Sequence, residues 1–204
     1  MRIVFHPLFL FVVAASIWYG LGLYMMMCVL AVLIHEFSHA VTARCFGVKA
    51  SRITLLPFGG AVSIDCAFLK RSCQATILMA GAFGNMCACV VAGALLWLVP
   101  QFFNSLGLFI FANITVAVLN LLPFYPLDGG KAIELFANKA MTKVLYVISN
   151  LTFTALFFVA CFALHSWSIG FFALIMLASV NTQSESTYVV TLREVLKKGR
   201  YRNG

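Results

Sequence analysis

His35-Glu36-Phe37-Ser38-His39 lies in a stretch that carries no other charge from Ile3 to Ala43, and that placement decides how the chain is read. On an α-helix, residues i and i+4 share one face, so the two imidazoles can bind a single Zn²⁺. The glutamate beside the first histidine can take a proton from the metal-bound water. Ionisable groups at membrane depth are costly to keep and mark a functional site by default.

The surroundings are apolar throughout. Of the 204 residues, 63% are hydrophobic and 10% charged, and the mean hydropathy of +1.00 excludes a soluble globular domain. The expected fold is an all-α polytopic membrane protein of about six transmembrane helices with a small membrane-associated β-hairpin. The apolar runs place the helices near Leu8 to Tyr19, Leu23 to Ala43, Thr76 to Val99, Leu106 to Leu122, Val144 to Leu164 and Trp167 to Val180. Residues 1–182 then form one intramembrane domain, and residues 183–204 a basic cytoplasmic tail.

With six spans, every lysine and arginine falls on one side. Arg2 precedes the first span; Arg44, Lys49, Arg52, Lys70 and Arg71 lie between the second and third; Lys131, Lys139 and Lys143 lie between the fourth and fifth; Arg193 to Arg202 follow the last. The positive-inside rule makes both termini and the two long loops cytoplasmic. The formal charge of +8 is therefore a topology signal and requires no nucleic-acid partner. Arg2 before an apolar run imitates a signal peptide, but a second long apolar helix follows at once, so the first span is read as retained. The seven cysteines include no C-x-x-C pair and read as free thiols or packing residues.

A catalytic zinc takes three protein ligands and keeps one position open for water. Only Glu36 and Asp128 among the six acidic residues lie in or against apolar segments, which makes Asp128 the natural third ligand. The bland alternative has His35 and His39 as buried interhelical hydrogen-bonders and Asp128-Gly129-Gly130 as an ordinary turn. Depth favours the metal site. His39 and His35 precede Arg44 by five and nine residues, roughly 7 to 14 Å of helix, and Asp128 lies just before Lys131.

With both motifs in view, the chain resembles the site-2 proteases, zinc metalloproteases that cut substrates within or next to the membrane. His35 to His39 match that family's H-E-x-x-H, and Asn120-Leu121-Leu122-Pro123-Phe124-Tyr125-Pro126-Leu127-Asp128-Gly129 its N-x-x-P-x-x-P-x-D-G. His6-Pro7 and Leu55 to Gly60 are similar to its sporulation branch, which processes a sigma-factor precursor. That branch typically carries a nucleotide-sensing domain after the last span, whereas this sequence ends at Gly204; the expectation is cleavage insensitive to ATP. The family's Gly-Pro-x-x-Asn-like element corresponds here to Gly81-Ala82-Phe83-Gly84-Asn85, without the proline.

Two short apolar runs, Arg52 to Phe58 and Ala61 to Ile64, around Gly59-Gly60 read as a hairpin, with Pro57 on an edge strand. Ile53, Leu55, Phe58, Gly59, Gly60 and Val62 would dock an extended substrate by strand pairing; the alternative is a loop packed on the helices. Asn120 and Asn85 are candidates for holding the scissile carbonyl or its oxyanion, or else for interhelical hydrogen bonds. The resulting expectation is a zinc endopeptidase. Zn²⁺ is held by His35, His39 and Asp128, and Glu36 acts as the catalytic base. Its substrate is a membrane-associated protein, with the membrane-tethered pro-segment of a transcription factor as the leading candidate. A membrane-bound inhibitor or activator is a further candidate partner. A metal transporter would need a polar path that the outer halves of the spans do not offer, and an inactive scaffold would be expected to have lost a ligand or Glu36.

Overall fold

The computed structural model describes residues 2–5, 7–48, 52–56, 59–63, 68–163, 165 and 169–181. A strand β1 (Arg2–Phe5) leads into helices α1 (Pro7–Trp18) and α2 (Gly22–Cys45), then strands β2 (Arg52–Leu56) and β3 (Gly59–Ser63). Helix α3 (Arg71–Leu98) follows, then a 3₁₀ turn (Pro100–Phe102), α4 (Phe103–Leu121), α5 (Asp128–Phe136) and α6 (Lys139–Phe158). A π-helical turn (Val159–Ala163) and a last helix α7 (Ile169–Asn181) complete the described chain.

Local chemistry sets these ends. α2 stops in a Schellman motif: Gly47 takes φ +78°, its N–H donates to Arg44 O at 3.0 Å, and Val48 N–H donates to Ala43 O at 3.0 Å. Glycine suits that left-handed position because it has no Cβ to clash, and Val48 packs on Ala43 in one apolar cluster. α4 ends because Pro123 forces the residue before it out of the helical region; Leu122 sits at φ −61°, ψ 143°. α6 opens on Asn138, whose side chain accepts from Met141 N–H at 2.9 Å.

Among the described residues, four helices are long and apolar enough to cross a membrane: Gly22–Cys45, Arg71–Leu98, Pro100–Leu121 and Lys139–Phe162. They make the chain an integral, multi-pass membrane protein. α1 and α7 coincide with the first and sixth expected spans but are shorter than these four helices. The 12 residues of α1 rise about 18 Å, against roughly 30 Å of hydrocarbon.

The chain divides into two compact units, residues 1–123 with 127–136, and residues 124–126 with 137–204. In the first, α2, α3 and α4 pack on one another through small residues: Ala31, Ala40, Ala82, Ala112 and Ala117 are buried. Phe37, Phe83 and Phe111 point outward. Lipid tails are as apolar as leucine, so membrane helices associate by close backbone packing rather than by hiding large side chains. In the second unit Tyr125, Tyr146, Phe153 and Val180 form the core. Tyr125 N–H donates to the hydroxyl of buried Ser149 at 2.9 Å.

The sheet order is β1-β2-β3, with β1 parallel to β2 and β2 antiparallel to β3. Two details differ from the sequence reading. Gly59 and Gly60 do not form a turn; they pair with Leu56 and Leu55 inside the ladder, which leaves Pro57 and Phe58 as the connection, outside the described residues. β2 is not an edge, because β1 pairs along its other side. That partner went unseen because it is four residues long and distant in sequence. β3 lies against α2, and its outer side is an edge among the described residues.

Candidate metal centre

One turn of α2 separates His35 from His39, and their rings meet edge to face with centroids 4.7 Å apart. Asp128 enters from the first turn of α5. Its Oδ2 lies 3.1 Å from His35 Nε2 and 2.9 Å from His39 Nε2, and Lys131 Nζ holds the other oxygen, Oδ1, at 3.1 Å. His35, His39 and Asp128 are 3%, 7% and 8% exposed, so the three groups must satisfy one another or a cation.

Two glycines make this approach sterically possible. A Cβ on Gly81 of α3 would run into His39 Nε2 and come within 2.6 Å of His35 Cε1. A Cβ on Gly129 would collide with Leu121 O and come within 2.6 Å of Leu122 O, so only glycine lets the start of α5 lie against the end of α4.

Hydrogen bonds behind the rings orient them. His39 Nδ1 donates to Ile77 O at 2.7 Å; a carbonyl only accepts, so the Nδ1 proton is fixed and Nε2 faces Asp128. His35 Nδ1 lies 3.1 Å from Asn85 Oδ1. One ligand atom from each of His35, His39 and Asp128 lies within 4.8 Å of the others. Two imidazole nitrogens and one carboxylate oxygen, with the second nitrogens anchored, suit Zn²⁺ with a position left for water. The residues therefore fit the metal that the motif implies. Glu36 is 6% exposed and lies in the field of His39, His35, Asp128 and Lys131.

The structure thus brings together His35, His39 and Asp128 and keeps Glu36 buried beside them. Asn85 is fully buried behind His35. Asn120 is half-buried and its amide donates to Val116 O of its own helix at 3.0 Å. Of the docking residues, Ile53, Leu55, Gly59, Gly60 and Val62 are in strands, while Phe58 lies outside the described residues, as do the strand side chains. Sequence reasoning gave Lys131 and Gly81 no part in the site and missed the Ile77 carbonyl and Asn113, whose amide meets that of Asn85. Asn113 carried the same signal as Asn120, a polar residue inside an apolar span.

Residues 23–105 match the family model of peptidase family M50. The chain carries an M50 peptidase domain. Similar to this M50 chain is stage IV sporulation protein FB of Bacillus subtilis, 31% identical over 144 residues, which cover 69% of this chain and 49% of that protein. A zinc metalloprotease of Methanocaldococcus jannaschii is 29% identical over 116 residues, 53% of this chain and 32% of that one. The M50 chain thus spans about half the length of the first relative and a third of the second. The solved site-2 protease from Methanocaldococcus jannaschii superposes with a TM-score of 0.71 at 21% identity, covering 89% of this chain and 90% of that one. It shares the fold.

Proposed function

We propose that this M50 protein is an intramembrane zinc endopeptidase that cuts a membrane-associated protein near the cytosolic face. The observation that carries the reading is the meeting of His35, His39 and Asp128 from distant parts of the chain, beside a buried glutamate. When bound there, Zn²⁺ supplies a Lewis acid for a carbonyl and lowers the pKa of a water toward ~7. His35 and His39 present Nε2, and Asp128 presents Oδ2 while Lys131 occupies Oδ1. Glu36 takes the proton of the attacking water and passes it to the leaving amine. Asn120 spends one amide hydrogen on Val116 O and has a second for the developing oxyanion.

An unwound substrate segment needs backbone partners, and β3 offers them along its outer edge, since β2 is paired on both sides. The segregation of basic residues supports a six-span topology with both termini cytoplasmic, in which α1 and α7 complete the count as short crossing helices. The similarity to stage IV sporulation protein FB supports a sigma-factor precursor as the substrate.

Reconstitution tests this. Purified protein loaded with zinc should cut a membrane-tethered sigma-factor precursor, and His35→Ala should neither retain zinc nor cut. Cleavage by a zinc-free His35→Ala protein would overturn the reading.

A further inference from the structure

Asn85 and Asn113 form a directional relay that ends on His35. Asn113 Nδ2 donates to Phe109 O at 2.8 Å; because a carbonyl has no hydrogen to give, this turns Asn113 Oδ1 toward α3. There it accepts from Asn85 Nδ2 at 3.1 Å, and the other Asn85 amide hydrogen goes to Ala31 O, also at 3.1 Å. Both Asn85 hydrogens are then committed, so only Oδ1 is left to face His35 Nδ1. An acceptor at that place requires the proton on Nδ1 and leaves Nε2 with its lone pair toward Asp128. Both asparagines are 0% exposed, so no water or substrate competes for these bonds.

We propose that Asn113, acting through Asn85, is a positioning residue that holds His35 in the tautomer whose Nε2, the nitrogen facing Asp128, is free to bind a metal. This rests on the metal-site reading above. Asn113 Oδ1 and Ala31 O are the two acceptors that keep the Asn85 amide from turning; removing Asn113 leaves one, and an Asn85 amide that turns offers hydrogen to Nδ1, so that the proton sits on Nε2 and blocks the ligand. Partners behind a metal-binding histidine typically change metal affinity by about 10- to 100-fold when removed, and that is the loss expected here.

Zinc affinity of the purified full chain, measured by chelator competition, tests this. His35→Ala should lose stoichiometric zinc, and Asn113→Leu should bind it about 10- to 100-fold more weakly than wild type. Asn113→Asp, held protonated by burial, gives its O–H to Phe109 O, keeps an oxygen acceptor toward Asn85 and should restore near-wild-type affinity. Thr115→Val serves as control, since it also removes an intrahelical bond in α4, that of Thr115 Oγ1 to Phe111 O, and should change nothing. If Asn113→Leu does not extract as a monodisperse protein, Asn113→Ala removes the same acceptor and carries the same expectation. Equal zinc affinity in wild type and His35→Ala would refute the metal site itself. Loss in His35→Ala with wild-type affinity in Asn113→Leu or Asn113→Ala, or a loss that Asn113→Asp does not rescue, would overturn the relay alone.

Discussion

His35 Nε2 and Asp128 Oδ2 lie 3.1 Å apart although 93 positions separate the two residues in the chain. The contact depends on how α4 ends. Pro123 stops the helix, and Gly129 lets α5 begin against the carbonyls of Leu121 and Leu122. An aspartate in a freely moving turn would not be held there, so the break after α4 acts directly on what the histidines of α2 face.

Asp128→Ala should therefore lower both zinc content and cleavage. It removes a ligand and leaves Lys131 unpaired beside two histidines. Metal analysis of the purified variant checks this; wild-type zinc content would assign the third donor to another group.

Gly81→Ala should weaken zinc binding without altering any polar group, because the added methyl occupies space held by His39 Nε2 and His35 Cε1. Overpacking of this kind costs about 1–3 kcal/mol. Gly93→Ala, where nothing lies within 4 Å, is the neutral comparison in the same helix. Equal zinc affinity in the two variants would refute the steric account.

The parts of this site legible in the sequence are those fixed by spacing and by cost. His35 and His39 share a helical face, and Asp128 is the other acidic residue set against apolar chain. The supporting groups are set by the third dimension. Gly81 shows its purpose only once α3 lies on α2, and the Ile77 carbonyl belongs to a backbone that carries no local signal. Lys131 reads as a topology charge until α5 folds and brings it over Asp128. β1 is invisible for the same reason, since a four-residue strand with a remote partner has no period of its own. The shift of the turn away from Gly59-Gly60 shows the reverse case, where glycines typical of turns serve inside a ladder.

Proline at Ala61 or Val62 should reduce turnover while leaving zinc bound, because it removes a backbone donor from β3 and disturbs the edge offered to substrate. Cleavage assays with metal analysis of the same preparations separate the two effects. Full turnover in both variants would remove β3 from substrate docking.

The proposed orientation places Cys45, exposed at the end of α2, and Cys73, in the first turn of α3, toward the cytosol. An impermeant thiol reagent should label Cys45 in inverted vesicles but not in intact cells. Labelling from outside would invert the topology. Cys66, expected on the same side, lies outside the described residues.

The central claim is that Glu36 moves protons and does not bind the metal, and Glu36→Gln tests it most directly. The substitution keeps size and removes the base, so the purified variant should hold wild-type zinc while cleavage of a membrane-tethered substrate falls by about 10²- to 10⁴-fold. Near-normal cleavage by the zinc-loaded variant, or loss of its zinc, would contradict the account.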